Sequence, residues 1–185
     1  MQIGAYSQQL IPAKWRTFGK PNGKRIKLDI LEFLTANLTD DSYVVHIGVD
    51  SADIDGVSAL YALCVSISRP AKGAICLYSK LQIEIPSSNV DNYIYQRLYN
   101  EATLSVDVAS LVMEAFESLG ISKNKIVIDY DFNNDAQASA GLQVQTCKSN
   151  KLVSLARGFA SSLGLHYTFK PDEQIACVFA DRLVQ

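Results

Sequence analysis

Histidine and cysteine are scarce in this chain. Only His46 and His166 occur, too few for a histidine-rich metal site. The four cysteines, Cys64, Cys76, Cys147 and Cys177, show no C-x-x-C spacing, and three of them sit in apolar runs. That pattern points to buried free thiols in a reducing cytoplasm, and away from disulfides or a zinc site. No apolar run approaches the roughly 18 residues that a membrane span needs. The first residues, Met1 to Ser7, lack the basic and apolar regions of a signal peptide. A cytoplasmic location away from membranes is expected. No G-x-x-x-x-G-K loop is present, which disfavours a phosphatase or nucleotide-hydrolysing enzyme.

Acidic residues are missing altogether from positions 1–28, which carry six basic ones: Lys14, Arg16, Lys20, Lys24, Arg25 and Lys27. The remainder holds 11 basic against 19 acidic residues. A basic arm beside an acidic body suggests contact with a polyanion, against the plainer reading of a solvated tail. Breaks at Pro12, Gly19, Pro21 and Gly23 make residues 1–23 an irregular arm. Residues 24–185 then form one domain, with the hydrophobic content of 48% expected of a soluble globular core.

Periodicity orders that domain. Ile26, Ile30, Phe33, Leu34 and Leu38 recur at helical spacing, which predicts a helix over 26–38. The β-branched run at 43–50 (YVVHIGVD) reads as a buried strand, with a turn at 51–56. Strands follow at 58–68 and 74–85, and short connections make the three an antiparallel meander. Asn89 and its neighbours offer helix-start chemistry for a long helix over 90–119, stopped by Gly120. A strand at 125–132 (KIVIDYDF) follows this crossover and so lies parallel to a strand of the meander. A polar stretch, 133–146, leads to a helix at 148–163, a strand at 165–170 and a last helix at 173–183. The order gives an α/β domain: a mixed sheet of five strands, three antiparallel and then two parallel, with helices against it.

Four carboxylates stand in apolar settings: Asp50 at a strand end, Glu101 inside a helix stripe, Asp129 on the parallel strand and Asp181 on the last helix. Ionised groups there call for partners. If 125–132 neighbours the opening strand, Asp129 comes beside Asp50. A calcium loop at 51–62 fails, because its twelfth position is Ala62, where a bidentate Glu is required. His46 reads as a satisfied core histidine. Trp15 and Phe18, among basic residues, either stack on single-stranded nucleic acid or pack onto the domain.

The pieces His46-Ile47-Gly48-Val49-Asp50-Ser51, Asn100-Glu101-Ala102-Thr103, Ile128-Asp129, Lys148-Ser149-Asn150-Lys151, and Lys170-Pro171-Asp172 with Ala180-Asp181-Arg182 occur in that order. Together they resemble the YkuK-like family of the ribonuclease H-like superfamily, over about residues 24–183. The segment after Asp129 departs from the family pattern, with Asp131 and a polar insertion. The resemblance implies a ribonuclease H-like fold and four acidic residues, Asp50, Glu101, Asp129 and Asp181, holding two Mg²⁺ or Mn²⁺ ions. Asp50 would bridge both ions. Such a site hydrolyses phosphodiester bonds in RNA, an RNA–DNA hybrid or structured DNA. Lys170 would contact the scissile phosphate, and Asp172 or Asp131 would be a further acidic ligand. Asn150 and Lys151 would support substrate, although helix capping explains Asn150 more simply. Lys14, Arg16, Lys24 and Arg25 would neutralise phosphates. The alternative is a catalytically silent nucleic-acid-binding or interaction module of the same fold.

Overall fold

The computed structural model describes residues 11–12, 15–18, 26–39, 41–87, 89–133, 150–172 and 174–185. A seven-stranded mixed sheet runs through the middle, in the order β2-β1-β5-β4-β3-β6-β7. β3 (Val44–Asp53), β4 (Ser58–Arg69) and β5 (Gly73–Glu84) form the antiparallel meander. β6 (Ile126–Asn133) pairs parallel with β3, and β7 (His166–Lys170) pairs parallel with β6. Helices α1 (Ile30–Asn37), α2 (Val90–Ser118) and α3 (Asn150–Leu163) share one buried core with Val45, Ile47 and Val49. Helix α4 (Ile175–Val184) covers the opposite face, where Ala176 and Ala180 pack on Ala62, Cys64, Cys76 and Tyr78. No described helix is long and apolar enough to cross a membrane.

Two of the seven strands correct the five-strand expectation. β1 (Trp15–Phe18) pairs with β5, and β2 (Lys27–Leu28) pairs with β1. Residues 15–18 are therefore part of the sheet, not of an irregular arm. Trp15 is only 1% exposed, and its indole N–H donates to the Pro12 carbonyl at 2.8 Å. Phe18 meets Tyr78 and Phe179 edge-on. Of the two readings of these aromatics, packing onto the domain is the one observed. α1 starts later than periodicity predicts, because Asp29 caps it. Asp29 Oδ1 accepts from the Glu32 N–H at 2.7 Å, and the Glu32 carboxylate accepts from the Asp29 N–H at 2.8 Å. This reciprocal capping box outweighs the apolar period, and 27–28 go to the sheet.

β3 also runs past the expected turn. Ser51, Ala52 and Asp53 stay paired with Tyr61, Leu60 and Ala59. The reversal falls instead at 54–57, where Gly56 has φ +78 and its N–H donates to Asp53 Oδ1. On its other side, β3 pairs with β6 only from Val45↔Ile126 to Gly48↔Asp129. Beyond Gly48, β3 continues with β4 on one side alone, and its last five residues project from an opening in the sheet.

Candidate active site at the open end of β3

Strand alternation sends Asp50 towards α4 and Ser51 towards α2. Asp50 is half-buried, and its Oδ1 accepts the Ser51 N–H at 2.8 Å. Burial pushes its carboxyl up to about 6, with Asp131 and Asp181 adding to the rise and Arg97 opposing it. Glu101, on α2, is 4% exposed. Its Oε1 accepts the Ser51 hydroxyl at 2.5 Å. Burial lifts this carboxyl to about 8, and Asp50 and Asp131 raise it further, against Ser51 and Arg97. Two carboxylates from opposite faces of the sheet thus share one electrostatic neighbourhood at the opening.

Asp129 does not join them. The register sets Gly48 beside it, two residues short of Asp50. Its carboxylate is fully buried and already engaged. Oδ1 faces His46 Nδ1 at 3.2 Å and accepts the Thr168 hydroxyl at 3.0 Å. Oδ2 accepts the Ala176 N–H at 2.8 Å, in the first turn of α4. Gln174, the cap residue of α4, makes no side-chain cap bond of its own. Asp129 does that work from the neighbouring strand. His46 is a satisfied core histidine, as expected, with Nε2 at 3.1 Å from the Ser68 hydroxyl.

Asp131, two residues further along β6, is on the face that carries Asp129 and, with Asp181, is an acidic neighbour of Asp50. It forms an ion pair with Lys170, and that contact raises the Lys170 amine. Asp131, Lys170, Asp172, Gln174, Asp181 and Arg182 line an open cavity of about 690 Å³ between β6, β7 and α4. Asp181 is exposed there and accepts from Gln185 Nε2 at 2.7 Å. Asp172 is also exposed on this wall.

The substrate candidates divide. Lys170 is at the cavity. Arg16 is on β1, with β5 and β4 between it and β3, so it is not part of this site. Asn150 and Lys151 begin α3, but their side chains lie outside the described residues, as do Lys14, Lys24 and Arg25 entirely. Two residues were missed by sequence reasoning. Arg97, one helical turn before Glu101, donates from Nη1 to the Ser51 carbonyl at 3.2 Å. Its i, i+4 spacing to a buried carboxylate was the available signal. Ser51 looked like a turn residue, and nothing local marked it.

Among the described residues, no three His, Cys, Asp or Glu side chains converge on one point where a metal ion would be held as they stand. The donors nonetheless suit a hard divalent cation in kind. They are carboxylate oxygens, and two of them resist ionisation because they are buried near other acids.

A family model described as Ribonuclease H-like matches residues 26–185. The chain belongs to the ribonuclease H-like family. The match covers the meander, the parallel strands and all four helices, and begins after β1. The mixed sheet with helices on both faces agrees with a ribonuclease H-like fold. No curated protein and no solved structure matches this chain.

Proposed function

We propose that this ribonuclease H-like protein is a divalent-metal-dependent nuclease that hydrolyses phosphodiester bonds in RNA, an RNA–DNA hybrid or structured DNA. The observation that carries this reading is the pair Asp50 and Glu101. Both are bonded by Ser51, and both carboxyls are raised first by burial and then by neighbouring acids, Asp131 and Asp181 for Asp50 and Asp50 and Asp131 for Glu101. A fold does not maintain such a pair cheaply. A bound divalent cation would offset that cost, which supports a metal-binding reading of the pair.

Asp50, Glu101, Asp131 and Asp181 are the residues that would hold Mg²⁺ or Mn²⁺, two ions by family resemblance. Asp131 takes the place first given to Asp129, because the oxygens of Asp129 are committed to His46, Thr168 and Ala176. Bound divalent ions supply a Lewis acid that activates water and stabilises the departing oxygen of a phosphodiester. The chain's own residues do the rest. Lys170 and Arg182 bring positive charge to the cavity wall and draw a phosphate against the acids. Lys170 neutralises Asp131 until a ligand replaces it.

The experiment is cleavage by the full chain with Mg²⁺ or Mn²⁺ over a panel of RNA, hybrid and structured DNA substrates. Asp50→Asn abolishes cleavage and leaves the melting curve in place. A panel on which the wild-type chain cuts nothing sinks the nuclease reading. The second reading, a catalytically silent module of the same fold, is favoured by one observation: no three ligand side chains already converge among the described residues. Nucleic-acid binding without Mn²⁺ binding would select it.

A further inference from the structure

Ser51 makes three different bonds with three different groups. Its N–H donates to Asp50 Oδ1 at 2.8 Å. Its hydroxyl donates to Glu101 Oε1 at 2.5 Å. Its carbonyl accepts from Arg97 Nη1 at 3.2 Å. We propose that Ser51 is the positioning residue of this site, fixing Asp50, Glu101 and Arg97 relative to one another. The proposal rests on the reading of Asp50 and Glu101 as metal ligands.

The geometry explains why one residue can do this. Asp50 and Glu101 approach from opposite faces of the sheet, and among the described hydrogen bonds Ser51 is the residue that bonds both. Ser51 is the next residue after Asp50, and it reaches Asp50 through the backbone while its own side chain points the other way. Among the described residues, the Ser51 hydroxyl is the sole hydrogen-bond donor to Glu101. It engages Oε1 and leaves Oε2 for another partner. A Glu side chain has three rotatable bonds, and a directional hydrogen bond to one oxygen selects among the rotamers that packing allows. At 8% exposed, Ser51 also works out of competition with water. Arg97 closes the arrangement, because Arg97 and Glu101 are one turn apart on α2. Its bond to the Ser51 carbonyl ties that turn to the end of β3, where β6 no longer supports the strand.

Outer partners of this kind set metal affinity by orienting the ligand. Losing one weakens binding by about 10- to 100-fold. The test is Mn²⁺ titration of the full chain by calorimetry and by electron paramagnetic resonance, with melting curves alongside. Ser51→Ala loses about 10-fold or more in Mn²⁺ affinity, while Ser51→Thr, which keeps the hydroxyl, recovers it. A purely structural serine would move the melting temperature and leave the affinity of the folded protein unchanged. Ser51→Cys has a similar shape and only a weak donor. It is titrated in parallel and shows the same loss, so a failure of Ser51→Ala to fold does not leave the matter open. The proposal is overturned if Ser51→Ala and Ser51→Cys bind Mn²⁺ as tightly as wild type while Asp50→Asn does not bind. If Asp50→Asn and Glu101→Gln bind like wild type, or wild type binds no Mn²⁺, the ligand assignment itself fails and the proposal with it.

Discussion

The backbone N–H of Ala176 donates to Asp129 Oδ2 at 2.8 Å, which makes a residue of β6 the N-terminal cap of α4. Its other oxygen receives Thr168 from β7 and faces His46 from β3. Asp129 thus joins three strands' worth of structure to the helix that carries Asp181. Asp129→Ala leaves buried donors without an acceptor and costs about 3–5 kcal/mol. Asp131→Asn, at a half-exposed position, stays within about 1 kcal/mol but loses metal-dependent cleavage. Urea denaturation of the two variants checks this. Equal destabilisation would remove the distinction between the capping acid and the site acid.

The Glu101 carboxyl makes the stability of the metal-free protein depend on pH. Its folded value is about 8, raised by burial from an ordinary 4.5. A raised acid binds its proton more tightly in the fold than in the unfolded chain. Its contribution is therefore fully present below the ordinary value and is lost as pH rises towards about 8. The loss is on the order of several kcal/mol. Asp50, raised to about 6, adds a smaller loss over the lower part of that window. Melting curves from pH 4.5 to 8.5 will show a decline in wild type and a flatter line in Glu101→Gln. Added Mn²⁺ will restore the wild type most at the alkaline end. A wild-type profile that rises through this window would contradict the burial of an uncompensated acid.

Much of the fold was legible because it rests on period. The apolar and β-branched runs of β3, β4 and β6, the alternation late in β5 and the stripe of α2 are each long enough to stand out. The end of α2 at Ser118 and its cap at Asn89 follow from residues that act locally. β1 and β2 are too short to show a period; pairing with the edge of β5 makes β1 a strand, and β2 pairs with β1 in turn. The site was half legible. A carboxylate in an apolar stripe is visible in one dimension, which is why Glu101 stood out. The choice between Asp129 and Asp131 was not visible, since both alternate onto the same face. Only the register against β3 separates them, through Gly48↔Asp129. Ser51 and Arg97 act through a backbone carbonyl, an N–H and a short hydroxyl, which leave no pattern in composition.

Gly48 is that register point, and α4 packs directly against it. A Cβ there would stand 2.8 Å from the Cys177 nitrogen and 2.9 Å from Ala176. These contacts are with the helix backbone and a methyl group, so nothing flexible can give way. Gly48→Ala pushes the first turn of α4 outward and costs about 1–3 kcal/mol by overpacking. The shift should also loosen the bond from Ala176 to Asp129. Hydrogen exchange at the amide of Ala176 is the direct measurement. Unchanged protection there, with unchanged stability, would show that the helix relaxes without cost.

Lys170 and Arg16 separate two sources of nucleic-acid affinity. Lys170 lines the cavity beside Asp131, where its charge can meet a phosphate. Arg16 is exposed on β1, with two strands between it and β3. Each phosphate contact lowers the log–log salt slope of binding by about 0.7 for single strands and about 0.9 for duplex. Lys170→Ala should therefore weaken binding to single-stranded RNA and flatten its salt dependence by about one contact. Arg16→Ala should leave that slope as it is if the substrate is confined to the opening beside β3. Affinities measured by fluorescence anisotropy between 50 and 200 mM salt, a range over which screening acts strongly, decide the matter. A flattened slope in Arg16→Ala would extend the binding face across the sheet to β1. An unchanged slope in Lys170→Ala would mean that this lysine serves Asp131 alone.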